Sequence, residues 1–202
     1  MNGDPIVSSS LIRRSIAFIK YAQWSFSCLW LRLSLRMVGV TYGKNLVGNR
    51  CAIKNNGRIW IGDNVCLNSN PAGESYKTGL MTYFESSSIR IGNNCEINGT
   101  MIYSRSEVTI GDNCMFGPGV CILDSDSHNT SIDPVARRSG EIKSHPIKIG
   151  NNVWVCRQSI ILKGVNIGDN SIVAAGSVVT RNVPSNQLFG GNPASFIRTL
   201  DK

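Results

Sequence analysis

The sequence is poor in histidine, in charge and in paired cysteine motifs. It has only two histidines, His128 and His145, which excludes the three-histidine zinc site of a carbonic anhydrase. Charged residues make up 17% of the 202 residues, below the roughly one quarter usual in globular proteins. The seven cysteines are odd in number and contain no C-x-x-C pair. We therefore expect no bound metal, no disulfides and a reducing cytoplasm.

Long apolar runs are also missing. Within residues 8–38, the longest stretch without a charged residue, Tyr21 to Leu31, has eleven residues, against the roughly 20 of a membrane-spanning helix. Residues 8–38 nevertheless carry apolar side chains at mostly helical spacings, which predicts an amphipathic helical segment over residues 1–40. It could cap the following domain, or it could make peripheral contact with the inner membrane face, with Trp24 and Trp30 at headgroup level.

The chain is basic but does not resemble a nucleic-acid-binding protein. Its formal net charge is +8, and much of the excess lies in the first fifty residues. Basic residues and aromatic residues do not form a shared stripe, and no recognition motif is present. We therefore expect no nucleic-acid partner.

What the sequence does contain is a strict period of six. From residue 149 onward a branched aliphatic residue returns every six positions, and four positions after it stands a small or branched residue. Neither an α-helix nor a flat strand has this period, whereas a chain that runs straight, turns and repeats does. Three such sides close one coil, and short hexapeptide periods are typical of a parallel β-helix. The aliphatic series is Ile149, Val155, Ile161, Ile167, Val173 and Val179.

A second, coarser repeat agrees with this coil. The tetrapeptide Ile-Gly-Asp/Asn-Asn begins at residues 61, 91, 110, 149 and 167, after a degraded copy at residue 42. Most intervals are close to 18, which is three hexapeptides, while the intervals of 30 and 39 require inserted loops. Gly and Asn suit the corners because both tolerate positive φ.

The two periods together predict an all-β solenoid and its boundaries. We expect the solenoid to cover residues 41–187, with inserted loops near 69–84 and 125–146. Pro184 breaks the period. Residues 188–202 are expected to form a closing loop and a short C-terminal helix from Ala194 to Leu200.

These residues resemble the hexapeptide-repeat acyltransferases, and most closely the galactoside-type, maltose-type and polysaccharide O-acetyltransferases. The resemblance is carried by an ordered set of motifs from Thr109-Ile110-Gly111-Asp112-Asn113, through Ile149-Gly150-Asn151-Asn152-Val153-Trp154, to Gly191-Asn192-Pro193-Ala194. It implies a left-handed parallel β-helix, a homotrimer with sites at the seams between protomers, and acetyl coenzyme A as the donor. Residues 1–40 lie outside it.

His128 is the candidate catalytic base. It lies eighteen residues after Ile110, in register at a coil edge, and histidine titrates near working pH. The resemblance places the base at the histidine that begins this loop. Asp124 and Asp126 could orient its ring; alternatively, a main-chain carbonyl orients it and the aspartates bind acceptor hydroxyls.

The resemblance also implies residues for both substrates. Asn98 matches an acceptor-binding asparagine whose amide could stabilise an oxyanion, and His145, followed by Pro146, resembles an acceptor residue of serine acetyltransferases. At the donor-binding edge, Arg157 stands where a smaller residue is usual. The other residues expected to contact coenzyme A are Ala175, Thr180, Arg181 and Arg198.

The predicted function is acetyl-coenzyme A-dependent O-acetylation of a sugar hydroxyl, in the biosynthesis of O-antigen, capsule or exopolysaccharide. The acceptor would be a sugar or a lipid-linked oligosaccharide. Two alternatives stay open at this point: a serine acetyltransferase-like enzyme, and a non-catalytic trimeric scaffold.

Overall fold

Three parallel sheets, visited in turn by the chain, make up most of the molecule. The computed structural model describes residues 5–201, with side chains from residue 17 onward except Ala72. Each circuit of the chain supplies one strand to each sheet, so strands three apart in sequence are neighbours. This is the coiled arrangement that the six-residue period predicts.

The strands are short, as a coil with three sides per eighteen residues requires. The first sheet contains β1 (Thr41–Tyr42), β4 (Arg58–Ile61), β7 (Ser88–Ile91), β10 (Glu107–Ile110), β13 (Ile147–Ile149) and β16 (Asn166–Ile167). The second contains β2 (Val47–Gly48), β5 (Cys66–Asn68), β8 (Glu96–Asn98), β11 (Met115–Phe116), β14 (Trp154–Val155), β17 (Ile172–Val173), β19 (Gln187–Gly191) and β20 (Ala194–Thr199). The third contains β3 (Ala52–Asn55), β6 (Gly79–Thr82), β9 (Met101–Ser104), β12 (Cys121–Leu123), β15 (Ile160–Leu162) and β18 (Val178–Val179).

The aliphatic residues of the six-residue series line the axis of the coil. All six are at most 3% exposed, and they occupy the three sheets in rotation. The residues four positions later are equally buried and fill the corners, where only small or branched side chains fit. These are Val153, Ser159, Val165, Ser171 and Ser177.

The repeated tetrapeptide forms the corner between the first and second sheets. A Cβ on Gly111 would lie 2.7 Å from the carbonyl oxygen of Gly150 in the next coil, so glycine is required by close approach. The following residue accepts a backbone bond across coils, as when Asp112 N donates to Asn151 Oδ1 at 2.8 Å. The last asparagine has φ near +55° to +60°, and its amide stacks on its equivalents. The bonds in that stack join Asn45–Asn64, Asn64–Asn94, Asn94–Asn113, Asn152–Asn170 and Asn170–Asn186.

The N-terminal helix α1 (Pro5–Met37) closes the first coil with its C-terminal half. Cys28, Leu31 and Leu35 are buried against the coil, and Arg32 Nε donates to Leu46 O at 2.8 Å. Its preceding turns carry exposed aromatic side chains instead. No helix in residues 5–201 is both long and apolar enough to cross a membrane. Residues 1–4, and the side chains of Leu11, Ile12 and Ile16, lie outside the described part of the predicted segment.

Two loops interrupt the coil, and one is shorter than expected. Within the predicted insertion at 69–84, the structure has a 3₁₀ turn (Pro71–Gly73) and then the regular strand β6, so the extra residues end near Thr78. The second loop leaves after Leu123 and returns before Ile147. It carries a short helix, α2 (Pro134–Ser139), which begins at the capping side chain of Asp133.

The predicted C-terminal helix is wrong. Residues 194–199 form β20, antiparallel to β19. β19 pairs with β17 and extends the second sheet, which leaves an open edge with unpaired backbone groups. A segment of about six residues is too short for a stable helix, whereas this edge satisfies its backbone. The ring of Phe196 also meets Phe189 edge-on, with centroids 6.2 Å apart.

Candidate active site

Asp124 fastens the base of the second loop. Its side chain is fully buried, and its carboxylate accepts bonds from Ser104 Oγ, Arg105 N, Ser106 N and Ser106 Oγ at 2.8 to 3.2 Å. Its carbonyl oxygen accepts from His145 N at 2.8 Å, which joins the two ends of the loop. The carboxylate is turned into the core, so Asp124 neither orients His128 nor faces an acceptor, contrary to both of the roles predicted for it.

The strands that leave and re-enter the loop are paired. Ser125 bridges Ser144 in antiparallel fashion, and Asp126 N donates to Lys143 O at 3.0 Å. The carboxylate of Asp126 forms an ion pair with Lys163 on the next coil. Asp126 is therefore held against the coil rather than against the ring of His128.

His128 projects from this fixed base. Its imidazole is exposed to solvent, two residues after the Asp126–Lys163 pair. Asn129 folds the chain just beyond it, because its amide accepts from Ser131 N at 2.8 Å and donates to Glu141 O at 2.7 Å. The backbone is therefore held on both sides of His128. Because the imidazole itself is exposed, its ring can bond with a ligand.

His145 lies at the return of the same loop. Its side chain is exposed, while its carbonyl oxygen accepts from Gly164 N at 3.1 Å. The pairing of the loop strands therefore brings both histidines of the chain to one side of the coil.

Asn98 ends a ladder of side-chain amides. Asn49 is fixed in orientation because its Oδ1 accepts from Ser69 N. Its Nδ2 therefore donates to Asn68 Oδ1 at 3.0 Å, and Asn68 Nδ2 in turn faces Asn98 Oδ1 at 3.4 Å. In the next coil the equivalent position is Gly117, which has no side chain to continue the ladder. The Nδ2 of Asn98 is left as a donor without an acceptor among the described residues.

The inserted segment 70–77 lies as a strap over the neighbouring corner. A Cβ on Gly99 would come within 2.6 Å of Tyr76 Cβ, and one on Gly119 within 2.9 Å of the Tyr76 ring. Gln158 Nε2 donates to the Tyr76 hydroxyl at 2.8 Å. Arg157, predicted to contact coenzyme A, instead pairs with Glu74 at 2.7 Å.

The remaining residues predicted to bind the donor lie beyond this strap. Ala175, Thr180, Arg181 and Arg198 are all exposed. A Cβ on Gly176 would meet nothing within 4 Å, so the corner is open there. The strap therefore covers the corner between the second and third sheets at Gly99, Gly119 and Gln158, whereas that corner is open at residues 175 and 176. Among residues 5–201, no cluster of three or more His, Cys, Asp or Glu side chains could hold a metal ion.

Comparisons with known proteins agree with this architecture. Residues 146–181 match the family described as bacterial transferase hexapeptide (six repeats), and residues 107–123 match the hexapeptide repeat of succinyl-transferase. A maltose O-acetyltransferase from Clostridium difficile is 30% identical, with 83% of this chain and 73% of that chain covered and a TM-score of 0.53. The chain belongs to the hexapeptide-repeat acetyltransferases of the galactoside and maltose type.

Two further relatives of this family match over a shorter length. The galactoside O-acetyltransferase of Escherichia coli is 41% identical over 131 residues. A hexapeptide-repeat acetyltransferase of Vibrio cholerae, solved with acetyl coenzyme A, is 37% identical, with 60% of this chain covered and a TM-score of 0.54. The match spans 63% of the first relative and 64% of the second, less than two thirds of either.

The structure adds residues to the site that the sequence did not indicate. Glu74 and Tyr76 stand in the inserted strap, where the hexapeptide period is lost and so gives no position for a side chain. Arg105 and Tyr83 belong to corners of the third sheet, and the backbone N–H of Arg105 donates to Asp124, where the second loop leaves the coil. The only available signal was the interval of 30, which indicated an insertion but not its contacts.

Proposed function

We propose that this protein is an O-acetyltransferase that transfers an acetyl group from acetyl coenzyme A to a sugar hydroxyl. The observation that carries the proposal is the exposed imidazole of His128 at the rigid base of the second loop. A base must be exposed to its substrates and carried by a well-held backbone, as His128 is. Histidine is the residue type whose ordinary pKa suits it to take up and release a proton near neutral pH.

In the proposed reaction, the imidazole of His128 removes the proton of the acceptor hydroxyl as its oxygen attacks the thioester carbonyl carbon. The tetrahedral intermediate then expels the sulfur of coenzyme A, and the imidazolium returns its proton to that thiolate. The products are an O-acetyl sugar and coenzyme A, without an acyl-enzyme. The free Nδ2 of Asn98 is the candidate donor to the acceptor or to the oxyanion.

The open corner supports the path proposed for the donor. The pantetheine arm would follow the main chain beside Ala175 and Gly176, where no side chain stands in the way. Thr180, Arg181 and Arg198 would contact the polar end of coenzyme A, because guanidinium groups bind phosphate well. Since Arg157 is paired with Glu74, its proposed part is to hold the strap at the reactive end of this path.

Thiol release from acetyl coenzyme A tests the proposal. Wild type and His128→Ala would be compared with free sugars, nucleotide sugars, serine and lipid-linked oligosaccharides. We expect release that depends on a sugar acceptor and falls by about two to four decades in the variant. Val135→Ala is the matched control on the same loop and should keep most of the activity, since Val135 is 70% exposed. Full activity in His128→Ala would contradict the assigned base, and release with serine alone would favour the serine acetyltransferase alternative.

We further propose a left-handed coil and a homotrimer, as in the family. Side chains on the outer face of the third sheet are predominantly apolar and only half-buried in one chain. Such a face is typical of an interface between subunits. If the site forms at a seam, the acceptor and the donor would each contact two protomers. A trimer with neither coenzyme A affinity nor transfer would support the scaffold alternative.

Helix α1 is proposed to contact the inner membrane face, which would bring the enzyme near a lipid-linked acceptor of O-antigen, capsule or exopolysaccharide synthesis. Phe18 and Phe26 are 71% and 68% exposed, and Trp24 and Trp30 are also exposed. Arg32 and Arg36 turn toward the coil, where Arg36 lies 5.6 Å from the ring of Tyr42. The proposed contact therefore depends on aromatic side chains more than on these arginines.

Flotation with anionic and neutral liposomes tests the membrane contact. A Phe26→Ser/Trp30→Ser variant should lose binding, because it removes two exposed rings from α1. Ile132→Ser is the matched control, since Ile132 is 95% exposed on the distant second loop. Equal flotation of all three proteins would contradict the proposal.

A further inference from the structure

A row of cations and aromatic rings runs along the corner between the third and first sheets. Lys54 Nζ lies 5.6 Å from the ring centroid of Tyr83. The Arg105 guanidinium, on the coil that follows the one with Tyr83 and Phe84, lies 5.0 Å from the ring centroids of both. These four residues, called the corner row below, come from three successive coils, because Asn55 pairs with Thr82 and Thr82 with Ser104.

The corner row is exposed, and its cationic side chains form no ion pair among the described residues. Tyr83 and Phe84 are 36% and 49% exposed. Among the described residues the ion pairs are Arg157–Glu74 and Lys163–Asp126, so neither Lys54 nor Arg105 has a carboxylate partner there. Glu85, exposed at the same corner, is the one acid next to the row in sequence and does not pair with it. The row therefore presents two cationic side chains, neither of them in an ion pair, beside two open rings.

A cavity of about 440 Å³ opens beside the row. Tyr83 and Arg105 form part of its wall, and Tyr103, Leu123, Ser125 and Ser127 complete it. Because Tyr103 and Leu123 lie on the outer face that is proposed as the subunit interface, the cavity would open at the seam between protomers. Burial raises the pKa of the Tyr103 hydroxyl, and nearby Cys121 and Tyr83 raise it further. At neutral pH that hydroxyl is therefore protonated and able to donate. The cavity thus combines a guanidinium, aromatic faces and hydroxyl groups.

The cavity is fixed relative to the candidate base. The carboxylate of Asp124 binds the backbone N–H groups of Arg105 and Ser106, and Asp124 is also the residue at which the second loop leaves the coil. Ser127, in the cavity wall, immediately precedes His128. Arg105 and the start of the His128 loop are therefore joined through Asp124.

We infer that the corner row and its cavity form a subsite for an anionic glycan, a chain of carboxylate-bearing sugars that runs along the corner toward His128. This inference rests on the proposed function and names the class of its acceptor. A guanidinium can bind a carboxylate through two parallel hydrogen bonds. The aromatic rings offer flat apolar surface to sugar rings, and the serine and tyrosine hydroxyls bind sugar hydroxyls. Because the row spans three coils at roughly 4.8 Å spacing, it fits a chain better than a single sugar.

Calorimetric titration with a galacturonate tetrasaccharide and with its neutral methyl ester tests the inference. For the wild type we expect the acid to bind at least tenfold more tightly than the ester. Arg105→Gln should remove most of this preference. Arg105→Lys should keep part of it, since the charge remains and the planar fork is lost. Arg90→Gln is the matched control, because Arg90 also stacks on an aromatic ring, 4.6 Å from Trp60, but on the first sheet.

The outcomes separate this inference from the proposed function. Equal affinity for acid and ester, or an equal loss in Arg90→Gln, would overturn the subsite. Acetyl coenzyme A is titrated into the same samples, and its binding in Arg105→Gln shows that the variant is folded. Binding of acetyl coenzyme A without any binding of the acid would overturn the subsite alone. Binding of the acid without acetyl coenzyme A would support the subsite and contradict the proposed transferase.

Discussion

The first and third sheets have the same interior and opposite exteriors. Inward residues of both are buried aliphatic side chains, such as Ile110 and Ile122. Outward residues of the first sheet are largely polar or charged, and Trp60 there is covered by Arg58 and Arg90. Outward residues of the third sheet are predominantly apolar: Met81, Met101, Tyr103, Cys121, Leu123, Ile160 and Leu162. The six-residue period therefore determines the core, while the intervening residues decide which face meets solvent.

Placing a charge on the outer face of the third sheet should have the largest effect. Leu162→Asp would place a carboxylate in the proposed interface, and an unpaired buried charge costs several kcal/mol. We expect light scattering to show a single chain in place of three, and transfer activity to fall with it. Asn166→Asp, on the first sheet in the same coil, should leave the assembly intact. Identical masses for the two variants would contradict an interface on the third sheet.

Truncating a buried side chain should lower the free energy of unfolding by the same amount in the first and third sheets. Ile110→Ala and Ile122→Ala each remove a fully buried side chain, so each should lower the free energy of unfolding by about 3 kcal/mol. Urea denaturation in the Leu162→Asp background would measure this without a contribution from assembly. A difference of several kcal/mol between the two would show that the cores of the sheets are not equivalent.

The two corners differ in how much one carboxylate contributes to the free energy of unfolding. Asp124→Asn removes charge-assisted bonds at the corner between the third and first sheets, and we expect a loss of about 2 kcal/mol in unfolding free energy. Asp63, at the corner between the first and second sheets, is half-buried and accepts from Lys44 N at 2.7 Å. Asp63→Asn should cost less than about 0.5 kcal/mol. Similar losses for the two variants, measured by urea denaturation, would refute this ranking.

The alkylation rate of Cys121 should also show whether the outer face of the third sheet is covered, and we expect this effect to be the smallest. Burial raises the pKa of Cys121, whose side chain lies on the outer face of the third sheet. The thiolate is the reactive form, so alkylation should be slow below that raised pKa and should speed up as pH increases. In the Leu162→Asp variant we expect Cys121 to react severalfold faster at a given pH, as peptide mass mapping would show. An unchanged rate would mean that no partner covers this face.

Much of the fold could be predicted because the repeat is local. The Ile-Gly-Asp/Asn-Asn tetrapeptides place their glycine, their acceptor side chain and their positive-φ asparagine at one corner. Close approach, an accepting side chain and positive φ are each possible for few residue types. The tetrapeptide sequence therefore predicts the structure of this corner. The helix predicted from Ala194 to Leu200 is wrong because that segment is short and its structure is decided by a distant partner, the open edge of β19.

By itself, the sequence determined the coil, its axis residues and the position of His128 at a coil edge, since these follow from spacing along one chain. Only the tertiary structure decided what each polar side chain does. It buries Asp124 under the corner at Arg105 and pairs Arg157 with Glu74 and Asp126 with Lys163. It also leaves the Nδ2 of Asn98 without an acceptor among the described residues, while the Oδ1 accepts from Asn68. These contacts join segments separated by insertions whose length and path no period encodes. Side-chain partners there depend on which coils come to lie within a few ångströms of each other.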